Sequence, residues 1–267
     1  MRASAPAKIN LGLVVGPLRA DGKHELLTVY QRVGLADRID VDDADRLSVE
    51  GFAGDTIVRR ALELLGERAG VEPRWRVRIE KRLPVAAGLG GGSSDAATAL
   101  RLANTTLGDD ALHEVAAQVG ADVPFFLREG PQVGSGDGTE LERADLPQDF
   151  WIVLVLPHDA RKESTAAVYA AFDARNGAAG WEERAAAFRT AVAAVRRPRD
   201  LAALPANDLA SSPLTEELRA LGAFHADVSG AGPVVYGLFH HRDAAAAAQK
   251  QLRRRARTWL TAPAWYG

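Results

Sequence analysis

Apolar and polar positions alternate with a period of two from residue 7 to residue 15. Ala7, Ile9, Leu11, Leu13 and Val15 share one face, and Lys8, Asn10 and Gly12 the other. That period predicts a half-buried strand with Lys8 and Asn10 pointing together, away from the core. Asp21-Gly22 is a turn signal, and 26–35 returns as a second strand, followed by short strands at 38–41 and 46–50. The period then changes to that of a helix over 55–68, where Ile57, Ala61, Leu64 and Leu65 form one stripe that stops near Gly70. Trp75, Val77 and Ile79 alternate again, so a strand runs directly into a glycine-rich loop. Beyond it, Ala97, Leu100, Ala103 and Leu107 predict a helix over 94–107 with Ser93 or Ser94 as N-cap, and a further helix spans 110–119 with Gly120 as its C-cap. Residues 125–133 read as extended, and Gly134-Ser135-Gly136-Asp137-Gly138 as a flexible turn.

The second half opens on a continuous apolar run, 150–156, of the length of a central strand. The polar stretch 142–149, with Pro147, marks a boundary, so the expected units are 1–148 and 149–267. Helices follow at 164–174, 181–195, 199–204 and 213–221, then a strand at 234–239 and a last helix over 242–255. Strands and helices mix in both halves, which places the chain in the α/β (α+β) class.

Composition narrows the functions. A hydrophobic share of 47% and a charged share of 25% are ordinary for a globular protein. A net charge of −2 argues against a nucleic-acid partner, and the basic run 253–257 is read as cations at a helix C-terminus. The absence of cysteine excludes disulfides, thiolate metal sites and cysteine nucleophiles. Residues 1–6 lack the apolar core of a signal peptide and no apolar run is long enough for a membrane span, so a cytoplasmic protein with no membrane partner is expected.

Chemistry concentrates in Leu83-Pro84-Val85-Ala86-Ala87-Gly88-Leu89-Gly90-Gly91-Gly92-Ser93-Ser94-Asp95-Ala96-Ala97. Glycines let backbone N–H groups approach an anion, and the following helix start adds free donors and a positive dipole end. Loop and helix together make a phosphate cradle. It is not a P-loop, since no lysine follows the last glycine, nor a good dinucleotide fingerprint, and no G-x-S-x-G elbow is present. Gly120-Ala121-Asp122-Val123-Pro124 holds Asp122 on a constrained junction, because Pro124 steers Val123 away from the helical region. Taken alone, an aspartate in such a turn is usually a turn or capping residue. Ser229-Gly230-Ala231-Gly232-Pro233 is a tight glycine turn between two short strands.

These stretches, with Ala5-Pro6-Ala7-Lys8-Ile9-Asn10-Leu11, the His24-Glu25-Leu26 segment after Asp21-Gly22, Ser164-Thr165 ahead of Val168-Tyr169, and Asn207-Asp208-Leu209, occur in one order along nearly the whole chain. The pattern resembles the GHMP family of small-molecule kinases, in particular its branch acting on a cytidine diphosphate-linked methylerythritol in non-mevalonate isoprenoid synthesis. The resemblance implies a ribosomal-protein-S5-like N-terminal domain and a ferredoxin-like C-terminal domain with a cleft between them. It implies that Pro84, Val85, Ala86, Ala87, Gly88, Leu89, Gly90, Gly91, Gly92, Ser93 and Ser94 bind ATP, with Mg2+ as companion ion whose ligands are not assigned. Asp122 would accept the substrate's hydroxyl proton beside Lys8. Asn10, Lys23, His24 and Thr165 would contact substrate, Tyr169 would be a platform for cytosine, and Ser229, Gly230 and Gly232 would form the third motif. The expected assembly is a monomer or homodimer. Two positions depart from the pattern: Lys23 stands where an aromatic is usual, and Asp55 where an asparagine is usual near the adenine site. Another GHMP kinase, of homoserine or mevalonate type, or an inactive nucleotide-binding relative are the alternatives.

Overall fold

Two long strands organise the first half. β1 (Arg2–Leu18) and β2 (His24–Asp43) pair antiparallel, joined by the turn at Asp21-Gly22. The computed structural model describes residues 1–160 and 164–265. β4 (Trp75–Glu80) and β5 (Gln132–Ser135) share the other edge of β2, while β3 (Ser48–Glu50) pairs with β4 and β6 (Glu140–Arg143) with β5, completing a six-stranded sheet. The segments expected as separate strands at 26–35 and 38–41 are one continuous β2. Register shifts in its pairing with β1, at Pro6/Ala7, Asn10/Leu13 and Val15/Leu18, let so long a ribbon bend without breaking.

α1 (Ile57–Ala69), α2 (Gly91–Ala103), α3 (Asp109–Val119) and α4 (Val123–Leu127) cover one face of this sheet, around Val58, Leu62, Leu65, Leu100, Val115 and Phe125. The other face is covered by the second half: Ile9 and Leu11 pack in one cluster with Ile152, Leu154 and Tyr236. β1 is therefore buried on both sides, and Lys8 and Asn10, expected on an outward face, are each only 3% exposed. Alternation records a change in polarity, and here the polar side looks into a cleft, not into bulk water.

The second sheet has the order β10-β7-β9-β8, formed by β7 (Trp151–Pro157), β8 (His225–Val228), β9 (Val235–Phe239) and β10 (Ala256–Thr261). Fourth-first-third-second, all antiparallel, with helices crossing between β7 and β8 and between β9 and β10, is the ferredoxin-like arrangement. The helical segments are α5 (Thr165–Ala174), α6 (Trp181–Ala194), a 3-10 turn Pro198–Ala203, α7 (Leu214–Ala220) and α8 (Arg242–Leu252).

Further segments depart from the sequence reading. α8 stops at Leu252, and 256–261 turns back to pair with β7 as β10. Residues 125–133 are not extended throughout, since α4 occupies their first part. Pro124 sits in the first turn of α4, where its missing N–H has no acceptor to serve, so it helps start the helix, and Val123 lies inside that turn, not held out of the helical region as expected. Among the described residues, no helix is long and apolar enough to cross a membrane.

Candidate active site

The glycine loop is held from both sides. Asp37 of β2 accepts the N–H groups of Arg82 and Leu83, at 2.5 and 2.8 Å, and so fixes the chain as it leaves β4. The Lys8 N–H donates to the Leu89 carbonyl at 2.9 Å, the Val234 N–H to the Ala87 carbonyl at 3.2 Å, and Ser229 Oγ to the Gly88 carbonyl at 2.9 Å. Gly88 has φ +82°, and a Cβ there would lie 2.1 Å from the Ser229 carbonyl oxygen. The glycine loop and the Ser229–Gly232 turn thus touch through backbone, and only glycine fits at their contact.

α2 begins earlier than its serines suggest. Its N-cap is Gly90, at φ +66°, and the bond from the Ser94 N–H to the Gly90 carbonyl (2.8 Å) belongs to its first turn. The N–H groups of Gly91, Gly92 and Ser93 lie ahead of that bond and have no carbonyl to meet within the helix. All three residues line a cleft of about 620 Å³. Ser94 is the helix's fourth residue, not its cap, and its Oγ is buried without a hydrogen-bond partner among the described residues.

Across the loop lies a polar chain inside the core. Lys8 Nζ donates to Asn10 Oδ1 at 2.7 Å and stands 3.3 Å from Asp122 Oδ2. Asn10 Nδ2 donates to Thr28 Oγ1 at 2.8 Å, and Thr28 Oγ1 to the Gly12 carbonyl at 2.7 Å. A buried ammonium without partners would cost several kcal/mol, and these contacts are what make Lys8 tolerable there. Asp122 is placed by the end of α3 at Gly120 and by α4, of which it is the N-cap. Two phenols bear on it. Burial, and then the charge of Asp122, raise Tyr30 well above its ordinary value and push Tyr169 up to about 12, so both remain neutral.

The opposite wall is aromatic. Tyr169 of α5 lines the cleft with Thr165, Leu26 and Leu209. His24 does not line it; its ring stacks behind Tyr169 at 5.0 Å between centroids, Nδ1 lies 2.9 Å from the Gly16 carbonyl, and Nε2 lies 3.4 Å from Asp173. Lys23 also stays outside, paired through Nζ with Asp137, which does line the cleft. Of the remaining sequence-predicted residues, Pro84, Val85, Ala86, Ala87, Gly88, Gly90, Gly230 and Gly232 line the cleft, whereas Leu89, Ser94 and Ser229 support it from behind. Asp55 lines it too, but its carboxylate accepts the N–H groups of Val58 and Arg59 and caps α1.

Several cleft residues escaped the sequence reading. Lys81 bonds both Asp37 (2.5 Å) and Asp95 (2.8 Å) and lies over the Phe52 ring at 5.6 Å. Burial opposes its charge, but those two carboxylates outweigh it and raise the ammonium. Burial, then the charge of Asp37, pushes Asp95 up to about 7. Lys81 directly follows a strand of alternating polarity, Trp75–Glu80, where no local signal marks a cation as a cleft residue, and Asp95 stands in the loop motif with no local sign of a role of its own.

Two family models match the chain, the GHMP kinases N terminal domain over residues 56–130 and the GHMP kinases C terminal over residues 205–258. A 4-diphosphocytidyl-2-C-methyl-D-erythritol kinase of Anaeromyxobacter dehalogenans strain 2CP-1 is 40% identical over 276 residues, covering 95% of this chain and 85% of the relative. The chain belongs to the GHMP kinases, in the 4-diphosphocytidyl-2-C-methyl-D-erythritol kinase branch. A relative of the same name from Geobacter sulfurreducens is 37% identical over 279 residues, covering 97% of this chain and 96% of its own. A crystal structure of 4-(cytidine 5'-diphospho)-2C-methyl-D-erythritol kinase superposes with a TM-score of 0.78 at 32% identity, covering 98% of this chain and 99% of that one. The two-sheet architecture is that of a GHMP kinase, with the ferredoxin-like half recognisable from its strand order alone.

Proposed function

We propose that this GHMP kinase transfers the γ-phosphoryl group of ATP to the 2-hydroxyl of 4-diphosphocytidyl-2-C-methyl-D-erythritol, the molecule that its relatives' names give as substrate. The observation that carries the reading is the Lys8–Asp122 pair, 3.3 Å apart, in one cleft with the free N–H groups at the start of α2 and the Tyr169 ring. Those N–H groups and the helix dipole favour a triphosphate. The substrate hydroxyl gives its proton to the Asp122 carboxylate as its oxygen bonds to the γ-phosphorus, the bond from that phosphorus to the β–γ bridging oxygen breaks, and ADP leaves. Lys8 offsets the negative charge that gathers there, and positioning with charge stabilisation supplies most of the acceleration of such transfers.

Mg2+ fits as the companion of ATP. Two hard oxygens in the first turns of α2, Ser94 Oγ and Asp95 Oδ1, are buried and have no hydrogen-bond partner among the described residues, and Mg2+ at kinase sites takes one or two protein oxygens with phosphate and water. When bound, it would neutralise phosphate charge and help align the γ-phosphoryl group. Tyr169, braced by His24, offers a face to cytosine. The division into units 1–148 and 149–267 belongs to the same reading, supported by the change of sheet between β6 and β7.

The test is ADP release from ATP with 4-diphosphocytidyl-2-C-methyl-D-erythritol, with homoserine, with mevalonate, and with no acceptor. Turnover only with the cytidyl substrate is expected. Equal turnover with homoserine or mevalonate, or none with any acceptor, would sink the assignment.

A further inference from the structure

At the other end of α4 from the cleft lies a second cavity, of about 360 Å³, with Arg32, Arg101 and His113 in its walls. Arg32 is only 1% exposed, yet its Nε has no hydrogen-bond partner among the described residues. His113 Nδ1 is likewise buried and, among the described residues, unpartnered. The bonds these guanidiniums make run to backbone carbonyls: Arg32 to Phe125 (3.0 Å), Trp265 (3.5 Å) and Arg128, Arg101 to Phe126 (2.7 Å). Carbonyls carry only partial charge, so two cations are held together with little to neutralise them. Burial, and then the charge of Arg101, pushes Arg32 down to about 10. Arg128, Asp109 and Glu129 complete the charged lining, and Glu129 offsets part of the repulsion.

Buried charge is stable when paired, and a fork of guanidinium donors matches an oxyanion better than any other small ligand. We propose that this cavity is a second ligand site, separate from the cleft, which takes a small phosphate-class oxyanion between Arg32, Arg101 and His113. The carbonyls that Arg32 and Arg101 already hold lie at the C-terminal end of α4, and Asp122 caps its other end.

The test uses the full chain, 15N-labelled at histidine, with the cleft saturated by a non-hydrolysable ATP analogue so that its own phosphate cradle is blocked. Inorganic phosphate and pyrophosphate are titrated in turn while the His113 ring resonances are followed, assigned by His113→Gln. A saturable His113 shift is expected with at least one of them. Arg101→Met, which keeps the side-chain stem, should weaken that binding roughly ten- to a hundred-fold, the range for losing a hydrogen bond to a charged group, and Arg101→Lys by less. Calorimetry on His113→Leu gives an independent reading should Arg101→Met fail to fold: weaker phosphate binding is expected. A His113 ring that does not respond, meaning a cavity that holds water alone, overturns the proposal. So does an affinity that Arg101→Met or His113→Leu leaves unchanged.

Discussion

Lys8 and Arg32 are cross-strand partners in β1 and β2, and they grip opposite ends of the same short helix. Lys8 Nζ lies 3.3 Å from Asp122, the N-cap of α4, while Arg32 bonds the Phe125 carbonyl within it at 3.0 Å and the Arg128 carbonyl just beyond it. Between them, Tyr30 of β2 stacks on Phe125 with ring centroids 4.9 Å apart. A helix of five residues has little stability of its own, so the position of Asp122 is set by this one sheet face. Asp122→Asn should lower kcat by roughly 10²–10⁴-fold, the usual general-base contribution. Lys8→Met, which keeps the buried stem, should lower kcat by about 10²-fold or more with ATP affinity little changed. Steady-state kinetics with ATP binding by calorimetry checks both, and near-normal turnover of either variant removes that residue from the mechanism.

The two left-handed glycines of the loop should fail differently. Gly88→Ala places a Cβ 2.1 Å from the Ser229 carbonyl oxygen, where only backbone can give way, and should cost at least about 1–3 kcal/mol of stability. At Gly90 the nearest atoms are the Lys8 Cγ at 3.0 Å and the Phe126 ring at 3.1 Å. The Lys8 stem can move aside, so Gly90→Ala should lose kcat more than stability. Urea unfolding and turnover measured on both variants decide it; equal profiles would refute the distinction.

Stability should carry a slope from Asp95. Burial and Asp37 push its carboxyl up to about 7, so between about pH 4 and that value the folded state keeps a proton that the unfolded chain has released. Stability from this group therefore falls as pH rises through that window and is flat above it. Asp95→Asn should remove that slope, seen as a smaller change in unfolding free energy between pH 4.5 and pH 7.5. An unchanged slope would show that Asp95 is ionised throughout.

Lys23 is not simply a cation taking the place of an aromatic. Its ammonium pairs with Asp137 in the cleft wall. Burial works against ionisation of Asp137, but hydrogen bonds from Lys23 and Thr139 outweigh it and hold the carboxyl below its usual range. Lys23→Tyr alone should raise the substrate KM, because it leaves that carboxylate unpaired near an anionic diphosphate. Lys23→Tyr with Asp137→Asn should lower it below the starting value. A single variant that already lowers KM would mean that Asp137 does not face the substrate.

Tyr169→Ala should raise the KM for the cytidyl substrate roughly ten- to a hundred-fold, given stacking of about 1–3 kcal/mol per base, and leave the KM for ATP nearly unchanged. His24→Ala should act in the same direction and less strongly, since His24 only backs the Tyr169 ring. An unchanged substrate KM in Tyr169→Ala would place the cytidyl pocket elsewhere.

Residues whose roles rest on local rules were legible in the sequence. The loop 83–94 must bend at glycines and precede a helix, Asp122 must sit on a junction set by Gly120 and Pro124, and the period-two pattern of residues 7–15 must form a strand with Lys8 beside Asn10. What the sequence could not decide is which polar residues face water and which face a cleft, because both break an apolar pattern alike. Lys8 and Asn10 are enclosed only because the glycine loop at Gly90, α4 and the turn at Gly230 close over their face of β1. Lys81 meets Asp37 and Asp95 only because β4 lies against β2 and α2 packs on both. The run 256–261 is a strand because β7 offers it an open edge, a long-range partner that local propensity cannot reveal. Arg32 shows the same limit: its position in β2 is local, but the carbonyls it holds and the cavity beside it exist only once α4 has docked.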